Sequence, residues 1–298
     1  MKILSLFDGI SVAQQALKEL GIECSYYASE IDKYAISITQ KNFPKTIQLG
    51  DVKELTIKNR WKIGGIGEID LLIGGSPCQD LSIAKKNRQG LDGARSGLFW
   101  EYVRILEEVK PKYFVLENVN SMPKEAKQTI TEALGVDPIM INAALVSAQN
   151  RKRLFWTNIP NVTQPEDRNI SLQDMLMFND VLLNNPPQDY TDYVARATVQ
   201  TNAEQYNDKC PSLSASMGMG GGYEPLVMTR ERAEQLKGKY IDGVQRKILM
   251  RKLTPIECER LQSLPDNYIE GVSNTQRYKA LGNAFNCEVI KHILTNLL

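Results

Sequence analysis

Short apolar runs alternate with longer amphipathic segments along the first half of the chain. The runs predict five strands, at residues 2–7, 24–29, 46–49, 70–73 and 112–116. Segments with apolar residues at helical spacing predict helices at residues 11–20, 32–42, 97–109 and 123–134. Repeated strand-then-helix signals are typical of βαβ units, so we expect an α/β fold with a doubly wound parallel sheet.

The pattern changes after the fourth predicted helix. Residues 139–147 and 154–157 are predicted to close the sheet as an antiparallel pair. From 158 to 250, Pro, Asn and Gly are scattered and the alternation is lost, which indicates a smaller, irregular domain. Helical signals return at residues 254–264 and 284–297.

The composition excludes several classes of protein. A net charge of +1 over 298 residues gives no overall basic field, so any nucleic-acid binding must come from local patches. No run of about 18 apolar residues predicts a membrane span, and the N-terminal run is too short for a signal peptide, so a cytoplasmic protein is expected. The five cysteines form no CxxC pair, which argues against a disulfide framework or a zinc site.

The only histidine further narrows the chemistry. It is His292, in the apolar C-terminal helical segment, where a structural role is expected. A Ser-His-Asp triad, a Cys-His dyad and a histidine-cluster metal site all need another histidine. We therefore expect no histidine-dependent nucleophile and no bound metal.

Groups that could carry chemistry follow several of the predicted strands. Cys78 comes after a Gly-Gly turn that ends one strand, and Glu117 follows the next strand. Gln149, Arg151 and Arg153 come after a further apolar stretch. Because the carboxyl ends of parallel strands share one edge, these groups are predicted to converge there. The arginines could supply the positive charge that a thiol needs to become a good nucleophile.

A second set of strand-end residues predicts a cofactor site. Phe7, Asp8 and Gly9 occupy the first strand-to-helix turn, and Gly9 lets a ligand approach the backbone closely. The turn has no further glycines at dinucleotide spacing, which disfavours NAD. Glu30 ends the second strand, where a carboxylate can bind both ribose hydroxyls, and Asp51 follows the third. The set indicates an adenosine-type cofactor.

A long polar segment, residues 79–95, follows Cys78. It is rich in glycine and basic residues, among them Lys85, Lys86 and Arg88. A solvated surface loop is one explanation. Beside a nucleophile, a lid over a phosphate-bearing substrate is the alternative.

These residues together resemble the motifs of the carbon-5 cytosine methyltransferases over nearly the whole chain. The motifs stand in the order that the family has: Phe7-Asp8-Gly9, Ser76-Pro77-Cys78-Gln79, Glu117-Asn118-Val119, Gln149-x-Arg151-x-Arg153, Leu253-Thr254-Pro255-x-Glu257-Cys258-x-Arg260-Leu261-Gln262 and Gly282-Asn283-Ala284. Some stretches are similar to the vertebrate de novo DNA methyltransferases. Gln79 and the Asn283-Ala284 ending are instead of bacterial type, so a compact bacterial or phage enzyme is expected.

The resemblance implies a Rossmann-like methyltransferase domain at 1–157, a target-recognition domain at 158–265 and a C-terminal return at 266–298. It implies that Cys78 attacks carbon 6 of a cytosine that has been flipped out of duplex DNA, that Glu117 binds ring nitrogen 3, and that Arg153 binds the carbonyl. Arg151 and Gln149 would support the site.

The resemblance also implies the ligands. S-adenosylmethionine is expected to bind Phe7, Asp8, Gly9, Glu30, Ile31, Asp51, Val52, Pro77, Asn283 and Ala284. DNA is expected to contact Ser82, Ala84, Lys85, Lys86, Arg88, Arg230 and Arg232. A cognate restriction endonuclease is the expected protein partner. The alternative is an orphan methyltransferase, which has no such partner.

Three alternatives remain open on the sequence. A transfer-RNA cytosine methyltransferase shares the fold and motifs, although its Cys-Phe-Thr signature is absent from this chain. A catalytically silent DNA-binding relative is a second, but the cysteine, glutamate and arginines that such proteins lose are present. A cysteine enzyme of another type is the third. For the basic segment after residue 228, an ordinary solvated helix is the alternative to DNA contact.

Overall fold

The first five predicted strands form a parallel array. A computed structural model describes residues 1–56, 67–77, 98–178, 180–183, 197–198, 209–217, 225–235, 240–241 and 251–298. The strands are β1 Lys2–Leu6, β2 Ser25–Ser29, β3 Ile47–Gln48, β4 Leu71–Gly75 and β5 Tyr113–Val119. Neighbouring strands pair in parallel in the order β3-β2-β1-β4-β5.

The sheet is completed by an antiparallel pair, as predicted. Strands β6 Ile139–Asn142 and β8 Lys152–Thr157 extend the order to β3-β2-β1-β4-β5-β8-β6, with β8 antiparallel to both neighbours. The predicted strand over 139–147 is too long, because the chain leaves the sheet after Asn142 into a 3₁₀ turn at Ala143–Leu145.

The strand order reverses between β1 and β4. From β1 the chain runs outward through β2 to β3, and it then returns to the other side of β1 to form β4 and β5. This reversal makes the sheet doubly wound, and open α/β sheets bind ligands outside the carboxyl ends of the strands at such a switch point.

Four helices follow the parallel strands within two residues of their predicted bounds. They are α1 Val12–Glu19, α2 Lys33–Asn42, α3 Phe99–Val109 and α4 Lys124–Leu134. Helices α3 and α4 contribute to one buried cluster with Leu4, Leu6 and Leu72 of the sheet. The alternate positions Ile3 and Leu71 are also fully buried, so both faces of the sheet are covered, as parallel strands require.

The chain divides into two compact units. The sheet unit comprises Met1–Asn142, Lys152–Pro165 and Val289–Leu298, and the second unit comprises Ala143–Arg151 and Glu166–Glu288. The boundaries expected at 157 and 265 therefore fall inside units. The difference arises because the β6–β8 connection belongs to the second unit and because the C-terminal return begins only at Val289. A target-recognition role for 158–265 stays a prediction.

The second unit has short strands in small sheets. Strands β9 Asp180–Leu183, β12 Leu226–Thr229 and β14 Arg251–Lys252 form one antiparallel sheet. The remaining pairs are β7 Gln149–Asn150 with β11 Cys210–Pro211, in parallel, and β10 Ala197–Thr198 with β13 Tyr240–Ile241. This part of the chain thus lacks the long alternation that made the first half predictable.

The helices of the last quarter are only partly those predicted. Helix α6 Pro255–Leu261 follows α5 Arg230–Gln235 and begins as expected, with Thr254 as its N-cap. The helix expected over 284–297 is shorter, since α8 spans Cys287–Leu294. Helix α7, Asn274–Asn283, was missed because its first seven residues are exposed or half-buried and carry no apolar stripe. No described helix is both long and apolar enough to cross a membrane.

Candidate active site

The turn between β1 and α1 has an unusual backbone. Phe7, Gly9 and Ser11 all have left-handed conformations, with φ of 56°, 62° and 57°. A non-glycine residue in this region costs roughly 1–3 kcal/mol, so surrounding contacts must impose the turn. A Cβ added to Gly9 would meet no atom of the described residues within 4 Å, so among these residues the space beside this backbone is open.

Asp8 lies beneath that turn and is buried. Its carboxylate accepts a hydrogen bond from the Ser11 hydroxyl and another from the Tyr26 hydroxyl, with Tyr26 Oη 2.7 Å from Asp8 Oδ1. Burial raises the pKa of Asp8 to about 6, and the bonds from these hydroxyls lower it only in part. The side chain therefore supports the turn from inside, so any cofactor contact at this position would come from the backbone.

Glu30, directly after β2, is held by three backbone N–H groups. Its Oε2 accepts from Gly9 at 2.8 Å, and its Oε1 accepts from Ile31 at 2.7 Å and Asp32 at 2.8 Å. An ionised carboxylate has about four acceptor positions, so one remains. In this conformation Glu30 can accept a hydrogen bond from one ribose hydroxyl. A hydrogen bond from the second ribose hydroxyl requires one of the three backbone N–H groups to be displaced.

The other predicted cofactor residues of the sheet unit differ in whether their side chains are accessible to a ligand. Ile31 is 72% exposed, which leaves its side chain free to pack against an aromatic ring. Asp51 accepts a hydrogen bond from the Lys53 N–H and caps a 3₁₀ turn. Val52 lies in the hydrophobic core, so its side chain is not available to a ligand.

The end of β4 is fixed by its neighbours. A Cβ on Gly74 would lie 2.8 Å from the Leu6 carbonyl oxygen, so a side chain there would push β4 away from β1. Beyond the strand, the buried Asn118 donates from Nδ2 to Ser76 Oγ at 3.0 Å and orients the chain that continues through Pro77. The next expected residues lie outside the described residues: Cys78, Ser82, Ala84, Lys85, Lys86 and Arg88.

Glu117 and Arg153 form an ion pair at the same edge. Glu117 lies inside β5, because β5 continues three residues past its predicted end to pair with β8. The pairing sets Arg153 opposite Val119, and Arg153 Nε lies 2.8 Å from Glu117 Oε1. The two side chains are 17% and 13% exposed, so the pair is mostly desolvated yet still reachable from solvent.

Gln149 and Arg151 are instead integrated into the second unit. The Gln149 amide donates to the Leu261 carbonyl at 3.1 Å and accepts from the Leu213 N–H at 3.1 Å. Arg151, 3% exposed, donates to four acceptors at 2.8–3.2 Å: Ser212 Oγ and the carbonyls of Leu213, Gly282 and Ala284. These contacts join three distant stretches of chain within the second unit. Support of the catalytic site by Gln149 and Arg151 stays a prediction.

We expect Arg151→Lys to destabilise the second unit by about 2–4 kcal/mol. A lysine ammonium cannot reproduce the planar fork that serves four acceptors, and it leaves buried carbonyls without donors. The shift in the urea unfolding midpoint measures the effect. Lys152→Ala is the matched control, since the Lys152 side chain is exposed on the next residue. Equal midpoints for the two variants would contradict this prediction.

The last predicted site residues lie in helices of the second unit. Asn283 is the exposed final residue of α7, and Ala284 is buried behind it. A Cβ on Gly282 would lie 2.2 Å from the backbone of Ser214, so only glycine fits there. Arg232 is exposed on α5, where DNA contact is expected, and Arg230 begins that helix with a side chain outside the described residues.

The sequence reasoning missed the residues that hold the two turns. Tyr26, together with Thr39, whose hydroxyl donates to Ser11 Oγ at 3.0 Å, supports the Gly9 turn. Asn118 supports the turn that leads to Cys78. The position of Tyr26 could have been a signal, because a tyrosine at a buried strand position must find a partner for its hydroxyl.

Comparison with known proteins agrees with this geometry. The sequence model of the family described as "C-5 cytosine-specific DNA methylase" matches residues 1–298. The type II methyltransferase M1.ScrFI of Lactococcus lactis subsp. cremoris is 30% identical over 317 residues, covering 100% of this chain and 78% of the relative. M.HhaI of Haemophilus parahaemolyticus is 28% identical, covering 100% and 94%. The orphan methyltransferase M.SPRI of Bacillus phage SPR is 34% identical over 53% of this chain and 38% of its own length.

Solved structures share the fold at lower identity. The Entamoeba histolytica methyltransferase EhMeth has a TM-score of 0.72 at 17% identity and covers 100% of this chain and 99% of its own. A Spodoptera frugiperda DNMT2 mutant has a TM-score of 0.69 at 20% identity and covers 99% of each chain. The expected methyltransferase fold is thereby confirmed. Because the family model matches residues 1–298, the chain belongs to the C-5 cytosine-specific DNA methylase family.

Proposed function

We propose that this DNA cytosine-5 methyltransferase performs its chemistry where β4 and β5 end, with Cys78 as nucleophile and the Glu117–Arg153 pair as the group that binds and polarises the base. The observation that carries the proposal is the ion pair itself. It joins β5 to β8, and Glu117 is in register with Gly75 at the end of β4, from which the chain continues through Ser76 toward Cys78.

The residue chemistry gives each group a role. The Cys78 thiolate attacks carbon 6 of cytosine, and carbon 5 becomes nucleophilic and accepts a methyl group. Loss of the carbon-5 proton and cleavage of the carbon–sulfur bond then restore the thiolate. Glu117, sharing a proton with ring nitrogen 3, offsets the charge that develops on the ring. Arg153 occupies only Oε1 of Glu117, so among the described residues Oε2 has no recorded partner and can face the base.

The Gly9 turn and Glu30 fit the adenosyl end of S-adenosylmethionine. The backbone at Gly9 borders open space, Glu30 keeps one acceptor position for a ribose hydroxyl, and Ile31 presents an exposed apolar face for the adenine ring. Asp51 is a further proposed polar contact in the same unit. When bound, S-adenosylmethionine supplies the methyl group.

We expect Glu30→Ala to weaken S-adenosylmethionine binding by roughly 1–3 kcal/mol, which is the typical cost of leaving polar partners unpaired. The substitution removes the ribose acceptor and releases the Gly9 N–H that the carboxylate now holds. Isothermal titration calorimetry measures the affinity. Glu23→Ala is the control, because Glu23 is exposed before the opposite end of β2. Unchanged affinity for the Glu30 variant would remove Glu30 from the cofactor site.

Duplex DNA is the proposed substrate. A cytosine inside a duplex cannot reach a thiol on the protein, so the base must be flipped out of the stack. The basic segment 79–95 is proposed to close over it, and 158–265, with Arg230 and Arg232 on α5, to select the sequence. The relatives carry the names of type II and orphan methyltransferases, which supports a bacterial or phage enzyme of one of these kinds. A cognate endonuclease and a cytoplasmic location belong to the same proposal.

Bisulfite sequencing of DNA from cells that express the protein tests this function. We expect 5-methylcytosine in one short sequence context that is absent from cells with the empty vector. Incubation with labelled S-adenosylmethionine and either duplex DNA or transfer RNA separates the two polymers. Label in transfer RNA alone, with unmethylated cellular DNA, would overturn the proposal.

A further inference from the structure

The Gly9 turn is held in place from below as well as by Glu30. Because Phe7 and Ser11 are non-glycine residues with left-handed backbones, the turn would relax without external contacts. The backbone supplies two of them, from the Asp8 N–H to the Ser29 carbonyl at 3.2 Å and from the Gly9 N–H to Glu30. Thr39 of α2 supplies another, since its hydroxyl donates to Ser11 Oγ at 3.0 Å. A further contact runs through the Asp8 carboxylate.

The Asp8 carboxylate joins the turn to the sheet. Ser11 lies in the turn itself, so its bond to Asp8 moves with the turn. Tyr26 is the second residue of β2, with 3% of its surface exposed, and its hydroxyl donates to Asp8 at 2.7 Å. Tyr26 ties the carboxylate to β2, an element that the turn does not carry with it. The Ser5 hydroxyl of β1 also acts on the carboxylate and lowers its pKa.

No cation among the described residues offsets the charge of Asp8. The nearby Glu30 carboxylate repels the charge of Asp8 and raises its pKa. A buried carboxylate in this setting depends on its hydroxyl donors, so the loss of one leaves an acceptor exposed to an apolar surrounding. The free energy of the turn would then be lower with Asp8 moved toward solvent, and this movement displaces Gly9.

We infer that Tyr26 is a positioning residue for cofactor binding, because its hydroxyl fixes Asp8 and thereby the conformation of the Gly9 turn. The inference rests on the proposed function, in which S-adenosylmethionine binds at this turn. When only a fraction of molecules hold the competent turn, the apparent dissociation constant rises by the inverse of that fraction.

Tyr26→Phe removes the hydroxyl and keeps the packing. We expect the dissociation constant and the KM for S-adenosylmethionine to rise about 3- to 10-fold, with kcat and the KM for DNA unchanged. Tyr27→Phe is the matched control, since Tyr27 is the next residue of the same strand and packs into the cluster on the other face of the sheet. Both variants are assayed below the onset of their thermal unfolding.

A second variant tests the path through Asp8. Asp8→Asn keeps the shape and an acceptor for Tyr26 but removes the charge, and we expect it also to weaken cofactor binding. If both residues act through one contact, the double variant is no weaker than the worse single variant. This pair of measurements keeps the inference testable even if Tyr26→Phe alone folds poorly.

The outcomes separate the inference from the function on which it rests. If the wild-type protein binds S-adenosylmethionine and Tyr26→Phe has the same dissociation constant, the inference is overturned and the proposed function stays intact. The inference is also overturned if Tyr26→Phe and Tyr27→Phe lose the same amount of affinity for S-adenosylmethionine. It is likewise overturned if the losses of affinity caused by Tyr26→Phe and Asp8→Asn add strictly in the double variant. Wild-type protein that binds no S-adenosylmethionine overturns both.

Discussion

Cys78→Ser should abolish methyl transfer, lowering kcat by about 10⁴-fold or more, while leaving the affinity for S-adenosylmethionine unchanged. A serine hydroxyl is far less ionised than a thiol near neutral pH, so the attack on carbon 6 fails although the site keeps its shape. The segment before it is anchored independently, since Asn118 binds Ser76 whatever residue occupies position 78. Transfer of labelled methyl to duplex DNA measures the rate, and calorimetry measures the affinity.

Cys24→Ser is the control for this experiment. Cys24 is a free, half-buried cysteine just before β2, at the end of the strand opposite Glu30, and its loss should leave the rate unchanged. DNA that contains 5-fluorocytosine should trap a covalent adduct on the wild-type chain and on Cys24→Ser. An adduct that forms equally well on Cys78→Ser would show that another residue is the nucleophile.

Glu117→Gln should lower kcat by about 10²- to 10⁴-fold with a small change in the KM for DNA. The glutamine keeps an oxygen for Arg153 but cannot share a proton with ring nitrogen 3. It also leaves the Arg153 guanidinium without its charged partner at a mostly desolvated position. Single-turnover methylation separates the chemical step from DNA binding and product release.

Two comparisons make the result for Glu117 specific. Glu125→Gln, on the exposed surface of α4, removes a carboxylate of the same unit and should have no effect. Glu117→Asp keeps the acid but retracts it by one methylene, so it should recover part of the rate that Glu117→Gln loses. A Glu117→Gln enzyme with wild-type kcat would exclude this carboxyl from the chemistry.

The sheet could be predicted because its signal is local. The apolar runs from Lys2 to Leu116 mark strands that are buried on both faces, and such strands show themselves as continuous apolar sequence. The chemistry at their ends was visible for the same reason, since Glu117 and the turn at Gly9 interrupt apolar runs with polar residues. What the pattern could not show is that β5 continues through Glu117, because that depends on pairing with β8, more than 30 residues later.

The rest of the site depends on contacts between distant residues. Arg151 binds carbonyls at Gly282 and Ala284, 131 and 133 residues away along the chain, and no periodicity encodes such a contact. Helix α7 is similarly invisible, because its first turns lack an apolar stripe. The partnership of Tyr26 with Asp8 is an intermediate case, in which the burial of a tyrosine is predictable but its partner is not.

The path of the chain between the two units bears on how the proposed target-recognition region could be exchanged between such enzymes. Residues 143–151 leave the sheet between β6 and β8 and belong with 166–288. A chimera that transplanted 166–288 alone would separate Gln149 and Arg151 from native partners such as Leu213. The smallest modular cassette is therefore discontinuous, and a graft has to carry both pieces to preserve these contacts.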